Sequence, residues 1–548
     1  METVKDRPPV HSWIMNPWLL GIVLVVLTAW AYLPAIHGDF LWDDETHLTD
    51  NIVLQANGLY RVWFTTDTSN YWPLTFSSYW IEHRIWGLNP TVFHVTNLVI
   101  HILCCLLIWR VLIELEIPGA WLAATVFAVH PVNVETVAWI AQRKNLLSML
   151  FYLTALAMYF RFEKLSRLQQ RGNRLWYWLA VAAFWLAMLS KGGVVTMPIV
   201  LLVCVWWQNG AIRRQDVMRS LPFFGIAVLM GLVEVWFQYH NAIRADAVRD
   251  HGFLARLACS GWVVWFYLYK AVIPVNLCFV YPRWEVDATN WISYVPGFLL
   301  VGVLVSLWRF RETRGRPALF ALLYYVITLG PFLGFLNIYF FRYSFVADHY
   351  QHVSIIAVIA LAVAMSWGVL KRLGAWERPT TILASVVLLV LLSFASRGQS
   401  AIYQDETALW TDTLEKNHAC WLGHNYFAHT AYRAGRLEEA ESHQLAVLKY
   451  EPKNWRYYML GLIYFEMGDD QRAVEAFQTA CSFDPTKFTD YRWATYSDAH
   501  FALALLLLKQ ERREEAMDHL KAALRNNPGH TKSREKLQEL QSEMHSSQ

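Results

Sequence analysis

The chain has 548 residues, of which 55% are hydrophobic and 17% are charged, and it contains 28 tryptophans. Because a water-soluble protein does not need so much apolar surface, this composition predicts a polytopic membrane protein. The net charge of +3 is too small, and the basic residues are too scattered, to indicate nucleic-acid binding. The seven cysteines show neither metal-ligand spacing nor the pattern of a disulfide framework.

The first apolar run, residues 18–36, is predicted to be a signal anchor. It is longer than the apolar region of a cleaved signal peptide and lacks a small-residue cleavage site. The acidic stretch "DFLWDDETHLTDN", residues 39–51, follows at the start of a loop predicted to span residues 37–91. An anchor does not itself need acids here, so this stretch is a candidate site. The competing interpretation is a solvated loop with helix caps.

Twelve apolar runs are candidates for crossing about 30 Å of hydrocarbon, although a few are short or interrupted. They lie at 18–36, 92–113, 119–137, 144–162, 175–190, 193–207, 221–239, 258–274, 292–308, 318–338, 353–370 and 380–396.

Four basic loops set the predicted orientation, because Lys and Arg favour the cytoplasmic side of a membrane. These loops are 161–174, 209–219, 309–316 and 371–378. The loops 209–219 and 309–316 are both predicted to be cytoplasmic, so an even number of crossings must separate them. Three candidate runs lie between residues 219 and 309, so one of them is predicted not to cross. The weakest of the three is 258–274, which carries Lys270 and is interpreted as an interfacial, re-entrant or broken helix. About eleven crossings remain, and they place the C-terminus on the outer face.

The predicted topology also collects polar residues from separate segments on the outer face. These residues are Asp43, Asp44, Glu135, Arg143, Lys144, Lys191, His240, Arg342 and Asp348. Arg143, Lys144 and Lys191 run against the preference of basic residues for the cytoplasmic side. Basic groups at the outer interface are suited to binding a phosphate, which in a membrane enzyme would belong to a lipid carrier. They could instead be interfacial anchors.

A repeat of helical pattern follows the last apolar run. Residues 434–452 and 467–485 superpose at a shift of 33, residues 509–528 repeat the second half, and alanine precedes proline by twelve residues in all three. A glycine turn, a small alanine and a closing proline are typical of tetratricopeptide repeats, predicted here at about 419–452, 455–485 and 497–528. The third copy is expected to carry Gln510 in place of the glycine. Stacked repeats form a groove suited to an extended peptide or partner protein.

The motifs together resemble a known family. "WDDE" after the first run, "HPVNVETVAWIAQRKNLLS" at 130–148, the apolar half and the repeats are similar to transmembrane-and-tetratricopeptide-repeat O-mannosyltransferases and their bacterial relatives, within the GT-C glycosyltransferases. This resemblance implies an all-α polytopic transferase domain, residues 1–397, followed by an α-solenoid, residues 398–548. "FVADHYQH" resembles the family's Asp-Arg-Tyr segment, but His349 stands where arginine is common.

The resemblance implies inverting transfer of a sugar from a polyprenyl-phosphate carrier to a hydroxyl group on the luminal or periplasmic side. Such a reaction needs a carboxylate as general base and benefits from cations or a metal at the leaving phosphate. Asp44 is slightly favoured over Asp43 as the base, and Arg143 with Lys144 is the predicted phosphate clamp. Lys191 and Arg342 are weaker clamp candidates. Predicted contacts to sugar or acceptor are Glu45, His130, Glu135, His240, Asp348 and His349.

No cofactor is required by this chemistry, although a divalent metal stays open, and the spacing of His349 and His352 is compatible with one. The expected partners are a polyprenyl-phosphate-linked mannose-like hexose, membrane lipids and an acceptor protein whose Ser or Thr reaches the enzyme through the repeat groove. The expected location is a bacterial inner membrane, with the active site and the repeats facing the periplasm. Asp39 and Asp50 are interpreted as loop or cap residues.

Two functions of other classes stay open at this stage. The chain could transport or flip a lipid-linked sugar, although the inverted repeats typical of transporters are not visible in the sequence. It could also be a catalytically inactive anchor whose repeats scaffold envelope proteins. The acids and the outer basic groups argue against the scaffold, because an anchor needs neither. The sequence does not identify the sugar, the acceptor or the oligomeric state.

Overall fold

A computed structural model describes residues 16–49, 52–170, 172–243, 248–249, 252–483 and 491–546. These residues contain helices and no strands, which confirms the predicted all-α fold class. The chain divides into two compact units, residues 1–409 and 410–548. Asp50 and the proline predicted to close the second repeat, Pro485, lie outside the described residues.

Several helices of the first unit have proline at their first or second position. Proline in the first turn needs no backbone N–H partner, and the side chains of Asn16 and Asn89 accept N–H bonds ahead of α1 and α4. The helices are α1 Pro17–Ile36, α2 Gly58–Phe64, α3 Pro73–Trp86, α4 Pro90–Glu114, α5 Ala120–Ala128, α6 Val134–Ala138, α7 Arg143–Arg167, α8 Asn173–Ser190, α9 Met197–Asn209, α10 Arg214–Phe237, α11 Phe253–Val272, α12 Val295–Arg309, α13 Arg316–Leu329, α14 Ile355–Leu370 and α15 Glu377–Ala401, with α16 Glu406–Lys416 containing the unit boundary.

Eight helical segments in the described part of the chain are long and apolar enough to span a membrane. They are Pro17–Ile36, Pro90–Glu114, Ile140–Arg167, Gly192–Asn209, Arg214–Ile243, Trp291–Arg309, Ile355–Gly374 and Pro379–Ala401, and a shorter apolar helix is Arg316–Phe332.

Four of the twelve predicted runs are not among these eight segments. The runs 175–190 and 318–338 form α8 and the shorter apolar helix Arg316–Phe332, and the other two differ from continuous spans for visible reasons. The run 119–137 is broken, because α5 ends at Ala128 and Pro131 begins a short 3-10 turn before α6. The run 258–274 forms α11, which is not among the eight segments. Its Lys270 is buried and donates to the carbonyl groups of Val275 and Asn276, at 2.7 and 3.0 Å.

The predicted outer loop at 37–91 is largely helical. It contains a π-helical turn at Glu45–Thr49, a 3-10 turn at Ile52–Leu54, and α2 and α3. Its apolar side chains pack with Phe93 and Ile140 in one buried cluster. This packing holds the acidic stretch against the start of α7, where the candidate basic residues lie.

The second unit consists of paired helices, which confirms the predicted tetratricopeptide repeats. The pairs are α17 Trp421–Arg433 with α18 Leu437–Tyr450, α19 Tyr457–Glu466 with α20 Asp470–Ala480, and α21 Tyr491–Lys509 with α22 Arg513–Asn526, followed by α23 Thr531–Ser546. The small residues at the three helix crossings, Ala440, Ala473 and Ala516, are fully buried.

The prediction that Gln510 replaces the turn glycine of the third repeat is wrong. Gly435 and Gly468, each five residues before the crossing alanine, have φ of +74° and +79°. The corresponding residue before Ala516 is Glu511, and its φ is +60°. The third turn therefore keeps the left-handed backbone conformation with a residue that carries a Cβ.

Candidate active site

The acidic stretch turns sharply at Trp42, whose φ is +41°. A left-handed conformation costs a residue other than glycine about 1–2 kcal/mol, so neighbouring contacts must hold it. The Trp42 ring stacks on Trp139 with 5.8 Å between centroids and meets Tyr343 edge-on at 5.5 Å. Its backbone N–H donates to Glu406 at 2.7 Å. This anchored turn aims the next two carboxylates in different directions.

Asp44 is fully buried and bound to the backbone. One carboxylate oxygen accepts the N–H of Leu41 at 2.9 Å, and the other accepts the N–H of Ala141 at 2.6 Å. Burial raises the pKa of Asp44 to about 8, although both amide bonds act to lower it. Asp44 therefore ties the acidic stretch to the segment before α7 and has both oxygens engaged.

Asp43 lies in a more open place, with 34% of its side chain exposed. Its Oδ2 is 3.2 Å from Nε2 of His47. Burial acts to raise the pKa of Asp43, but the charge and hydrogen bond of His47, followed by the charges of Lys144 and His349, lower it to about 2. Asp43 is therefore an ionised carboxylate that solvent or a ligand can reach.

Lys144, in the first turn of α7, is the cation next to these acids. Its ammonium lies 4.7 Å from the centre of the Trp72 ring and 5.8 Å from that of Trp139. It interacts electrostatically with Asp43, Asp44 and Glu234. The side chain is buried, so an anion that reached it would meet a positive charge with little water screening.

Lys191 follows α8 and lines a small, partly open cavity. Burial and the charge of Lys144 lower the pKa of Lys191 to about 7, against the opposing effects of Glu234 and Glu135. The two lysines are thus close enough to repel each other. The polar residues that line the cavity with Lys191 are Asn145, Ser148, Tyr152, Thr196, Thr328, His349, Tyr350 and His352.

Glu135 and His349 form a buried pair beside this cavity. Oε1 of Glu135 is 2.7 Å from Nδ1 of His349, and Oε2 accepts the backbone N–H of His349 at 3.1 Å. Burial raises the pKa of Glu135 to about 8 and lowers that of His349 well below its usual value. His349 also interacts electrostatically with Lys191, Lys144 and Asp43, so it links the lysines to the open carboxylate.

Arg143 is adjacent to Lys144 in sequence, but its side chain has different partners. It is fully buried, forms a salt bridge with Glu82, and donates to Asn97 Oδ1 at 2.8 Å and the Phe93 carbonyl at 2.9 Å. Its guanidinium also stacks 4.7 Å from the Tyr79 ring. The structure thus commits Arg143 to packing between α3, α4 and α7 and does not bring it to the cavity.

Three of the predicted contact residues serve packing or lie apart. His130 is buried, with Nε2 3.1 Å from the Ala271 carbonyl and Nδ1 accepting the Val132 N–H at 3.4 Å, and burial lowers its pKa to about 4. His240 is exposed and stacks on Trp236 at 4.7 Å. Glu45 is exposed at the start of the π-helical turn.

The remaining two candidates, Asp348 and Arg342, contact aromatic side chains. Asp348 is buried, and both its oxygens accept the Tyr281 hydroxyl at 3.1 Å. The Arg342 guanidinium donates to the Tyr339 hydroxyl at 3.2 Å and lies 5.6 Å from the Tyr343 ring. Because Tyr343 contacts Trp42, Arg342 lies one aromatic ring away from the acidic stretch.

Two residues of this group, His47 and Glu234, were not predicted from the sequence. His47 lies four residues after Asp43, which is the spacing of one helical turn. Glu234 accepts the indole N–H of Trp72 at 3.1 Å and interacts electrostatically with Lys144 and Lys191. It is the single acid in the apolar run 221–239, a signal that could have identified it.

The two histidines whose spacing is compatible with a divalent metal have different hydrogen-bond partners in the structure. Nδ1 of His349 faces Glu135, whereas Nδ1 of His352 is 2.9 Å from Asn133 Oδ1, so these nitrogens have separate partners. Within the described ranges, the group of three His, Cys, Asp or Glu side chains with converging ligand atoms lies in the second unit. Asp43 also offers a partly exposed carboxylate.

Comparisons with known proteins agree with the motifs. Tetratricopeptide-repeat family models match residues 456–487 and 490–531. The Caenorhabditis elegans protein O-mannosyl-transferase F38B6.6 is 24% identical over 72% of this chain and 57% of its own length. The human protein O-mannosyl-transferases TMTC1 and TMTC3 are 25% and 21% identical over 77% and 91% of this chain.

The chain spans 54% and 59% of the lengths of the two human relatives. The aligned part nevertheless includes most of this chain, and the relatives carry one and the same activity in their names. These findings confirm the resemblance predicted from the motifs: the chain is similar to the transmembrane-and-tetratricopeptide-repeat O-mannosyltransferases.

Proposed function

We propose that the chain is an inverting glycosyltransferase. It moves a mannose-like hexose from a polyprenyl-phosphate carrier to a Ser or Thr hydroxyl of an acceptor protein. The observation that carries this proposal is the ionised, partly exposed Asp43, which interacts electrostatically with Lys144 and His349. His349 in turn interacts electrostatically with Lys191. This transfer needs a base and benefits from cations at the leaving phosphate.

Asp43 is the proposed general base. Its carboxylate takes the proton of the acceptor hydroxyl as the oxygen attacks the anomeric carbon, from the side opposite the leaving phosphate. A pKa of about 2 keeps it ionised but makes it a weak base. A phosphate bound to Lys144 would compete for that positive charge, so donor binding should raise the basicity of Asp43. Asp44 is less suited, because backbone amides occupy both its oxygens.

Lys144 and Lys191 are the proposed phosphate clamp. The carrier phosphate leaves with an additional negative charge, and the buried Lys144 and half-buried Lys191 stabilise that charge more strongly than exposed ammonium groups would. The small cavity beside Lys191 marks the proposed approach of the donor phosphate, and the rings of Phe332 and Tyr350, which also line it, suit contact with the apolar face of a sugar. We propose a supporting role for the Glu135–His349 pair, which holds the cations in place.

The second unit supplies the acceptor in this proposal. Tetratricopeptide repeats bind extended segments in their groove, and the relatives are named as transferases that act on proteins. The proposed location is a bacterial inner membrane, with the cavity and the repeats on the periplasmic side. This arrangement keeps the acceptor on the same side as the lipid-linked donor.

A transfer assay tests the proposal. The purified protein is incubated in detergent with radiolabelled polyprenyl-phosphate mannose and Ser/Thr-rich acceptor peptides, and Asp43→Asn is compared with Asp39→Asn. Asp39 is an exposed acid of the same stretch, which makes it a matched control. Transfer that is lost only in Asp43→Asn supports the proposal.

Other outcomes of the assay would favour the alternative functions. Movement of the labelled lipid across vesicle membranes without transfer to peptide would indicate a transporter. Capture of envelope proteins with no transfer from any lipid-linked sugar would indicate a scaffold.

A further inference from the structure

The second unit contains two histidine pairs at equivalent positions of its first and third repeats. In the first repeat, Nδ1 of His424 lies 3.0 Å from Nδ1 of His443, and in the third, Nδ1 of His500 lies 2.8 Å from Nδ1 of His519. Each pair joins the two helices of one repeat and is separated by nineteen residues. The pairs differ in what lies next to them.

The third-repeat pair has a cysteine sulfur beside it. Cys481, which follows α20 of the second repeat, offers a sulfur that lies within 4.8 Å of ligand nitrogens of His500 and His519. In the first-repeat pair, Nε2 of His424 is 3.1 Å from the His418 carbonyl, and the described residues bring no third ligand to it. The third repeat therefore has a three-sided cluster of nitrogen and sulfur atoms, and the first has a simple pair.

His500 carries a second sign of an incomplete site. The residue is 6% exposed, and its Nε2 has no hydrogen-bond partner among the residues described. If Nδ1 donates to His519, Nε2 has an unused lone pair, and if Nδ1 accepts, Nε2 has an unused proton. Buried imidazole nitrogens are usually paired with a hydrogen-bonding group or a metal, so packing alone does not account for this residue.

We propose that Cys481, His500 and His519 bind one transition-metal ion, with Zn²⁺ as the expected metal and water as the fourth ligand. One thiolate and two imidazoles form a ligand set that favours Zn²⁺ over Mg²⁺ or Ca²⁺. Zinc bonds of about 2.0 Å to nitrogen and 2.3 Å to sulfur place tetrahedral ligand atoms roughly 3.3–3.8 Å apart. The cluster reaches this geometry with side-chain shifts of about 1 Å or less, which rotamer adjustment permits.

Metal binding requires a deprotonated thiol and neutral imidazole groups. Burial raises the pKa of the Cys481 thiol to about 12, so the ion must displace a proton that is released to solvent. Burial, followed by the nearby His519 and Arg525, lowers the pKa of His500 to about 4, so its imidazole is neutral at physiological pH. Glu515 and Asp518 near His519 add negative charge that favours a cation.

The site would connect two neighbouring repeats. Cys481 belongs to the second repeat, whereas His500 and His519 lie on the two helices of the third. Repeat arrays are stabilised mainly through contacts between neighbours, so an ion at this junction should increase their cooperativity. Metal binding thereby gives the junction a stability that depends on zinc concentration.

The experiment uses the full chain in detergent, purified without a polyhistidine tag, kept reduced and stripped with EDTA. Titration with Co²⁺ reports tetrahedral coordination through visible d–d bands and thiolate ligation through a near-ultraviolet charge-transfer band, and Zn²⁺ then displaces Co²⁺. One equivalent is expected to bind the wild type. Cys481→Ser is expected to abolish the charge-transfer band, and His519→Gln to weaken binding at least tenfold.

Matched controls are His443→Gln, which removes the analogous pair, and Cys420→Ser, which removes a buried cysteine of the same unit. Both should bind Co²⁺ as the wild type does. The melting temperature of each stripped protein shows that it is folded, and Zn²⁺ should raise that of the wild type and of the controls only. Absence of thiolate-bound Co²⁺ in the wild type, or its persistence in folded Cys481→Ser, would overturn the proposal.

Discussion

The carboxylate of Asp43 lies 3.2 Å from Nε2 of His47, whereas its neighbour Asp44 accepts backbone N–H bonds on both oxygens. The left-handed turn at Trp42 produces this division, because it directs one carboxylate to the open side and buries the other. Two adjacent acids thus have different physical roles. One has an accessible negative charge, and the other joins two segments of backbone.

For Asp43, substitution should remove activity and leave the fold intact. Asp43→Asn cannot accept the proton of the acceptor hydroxyl, so we expect kcat to fall about 10²- to 10⁴-fold. The measurement is transfer from polyprenyl-phosphate mannose, with the melting temperature recorded in parallel. Asp39→Asn should keep wild-type kcat. A folded Asp43→Asn protein with wild-type kcat would assign the base to another residue.

For Asp44, substitution should act mainly on stability. Asparagine has one acceptor oxygen, so either the Leu41 or the Ala141 N–H is left buried without a partner, which costs about 1–3 kcal/mol. Unfolding monitored by tryptophan fluorescence measures the loss. A variant with wild-type stability and no activity would instead indicate direct participation in the reaction.

The pH dependence of stability gives a second test of Asp44. Its folded pKa of about 8 lies above the unfolded value near 3.8, so the folded state holds the proton more tightly. Its stabilising contribution is complete below about pH 4 and is lost as the pH rises through 8. Asp44→Asn should remove this part of the wild-type profile. The difference between the two profiles isolates Asp44 from other titrating groups.

Substitution of Arg143 should mainly reduce stability, whereas substitution of Lys144 should mainly weaken donor binding. Arg143→Met leaves Glu82 buried without its ion pair, so we expect a loss of about 3–5 kcal/mol in the free energy of unfolding. Lys144→Met keeps much of the apolar stem and should raise KM for the donor instead. Arg84→Met, at an exposed position of α3, is the control for Arg143. If Arg143→Met instead raised KM for the donor without loss of stability, Arg143 would be assigned to phosphate binding.

Lys191 should give donor binding a pH dependence near neutrality. Its pKa of about 7 means that the free protein carries this positive charge below pH 7 and loses it above. We therefore expect KM for the phosphate donor to rise as the pH passes through 7. Lys191→Arg should flatten this rise, because arginine stays charged, while the exposed Lys371→Arg should not. An unchanged profile in Lys191→Arg would exclude Lys191 as its source.

Part of the candidate site could be predicted from the chain alone. Asp43, Lys144 and Lys191 stand out because charged groups beside apolar runs are costly and therefore informative. Arg143 could not be separated from Lys144 in this way. Adjacent helical residues point about 100° apart, and only the packing of α3 and α4 decides which one faces Glu82. The contacts of Glu234 with Trp72 likewise join distant segments.

The repeats were predictable for a different reason. Their contacts are mostly between neighbours along the chain, so the spacing of glycine, alanine and proline carries the fold. The error at Gln510 came from a one-residue offset, since the left-handed position lies five residues before Ala516. The Cys481 cluster could not be recognised, because its spacing matches no metal-binding motif and depends on the stacking of two repeats.

The left-handed turns of the second unit predict opposite effects of two substitutions. A Cβ at Gly468 would have no neighbouring atom within 4 Å, so Gly468→Ala should lose about 1 kcal/mol from backbone strain alone. Glu511→Gly relieves the same strain at φ +60° and should gain up to about 1 kcal/mol in the free energy of unfolding, reduced by the added chain entropy of glycine.

Hydrogen exchange of the full chain, followed at α19–α20 and α21–α22, measures each effect locally. Slower exchange in α21–α22 of Glu511→Gly and faster exchange in α19–α20 of Gly468→Ala are expected. Faster exchange in both variants would mean that the Glu511 side chain contributes more to the turn than its backbone conformation costs.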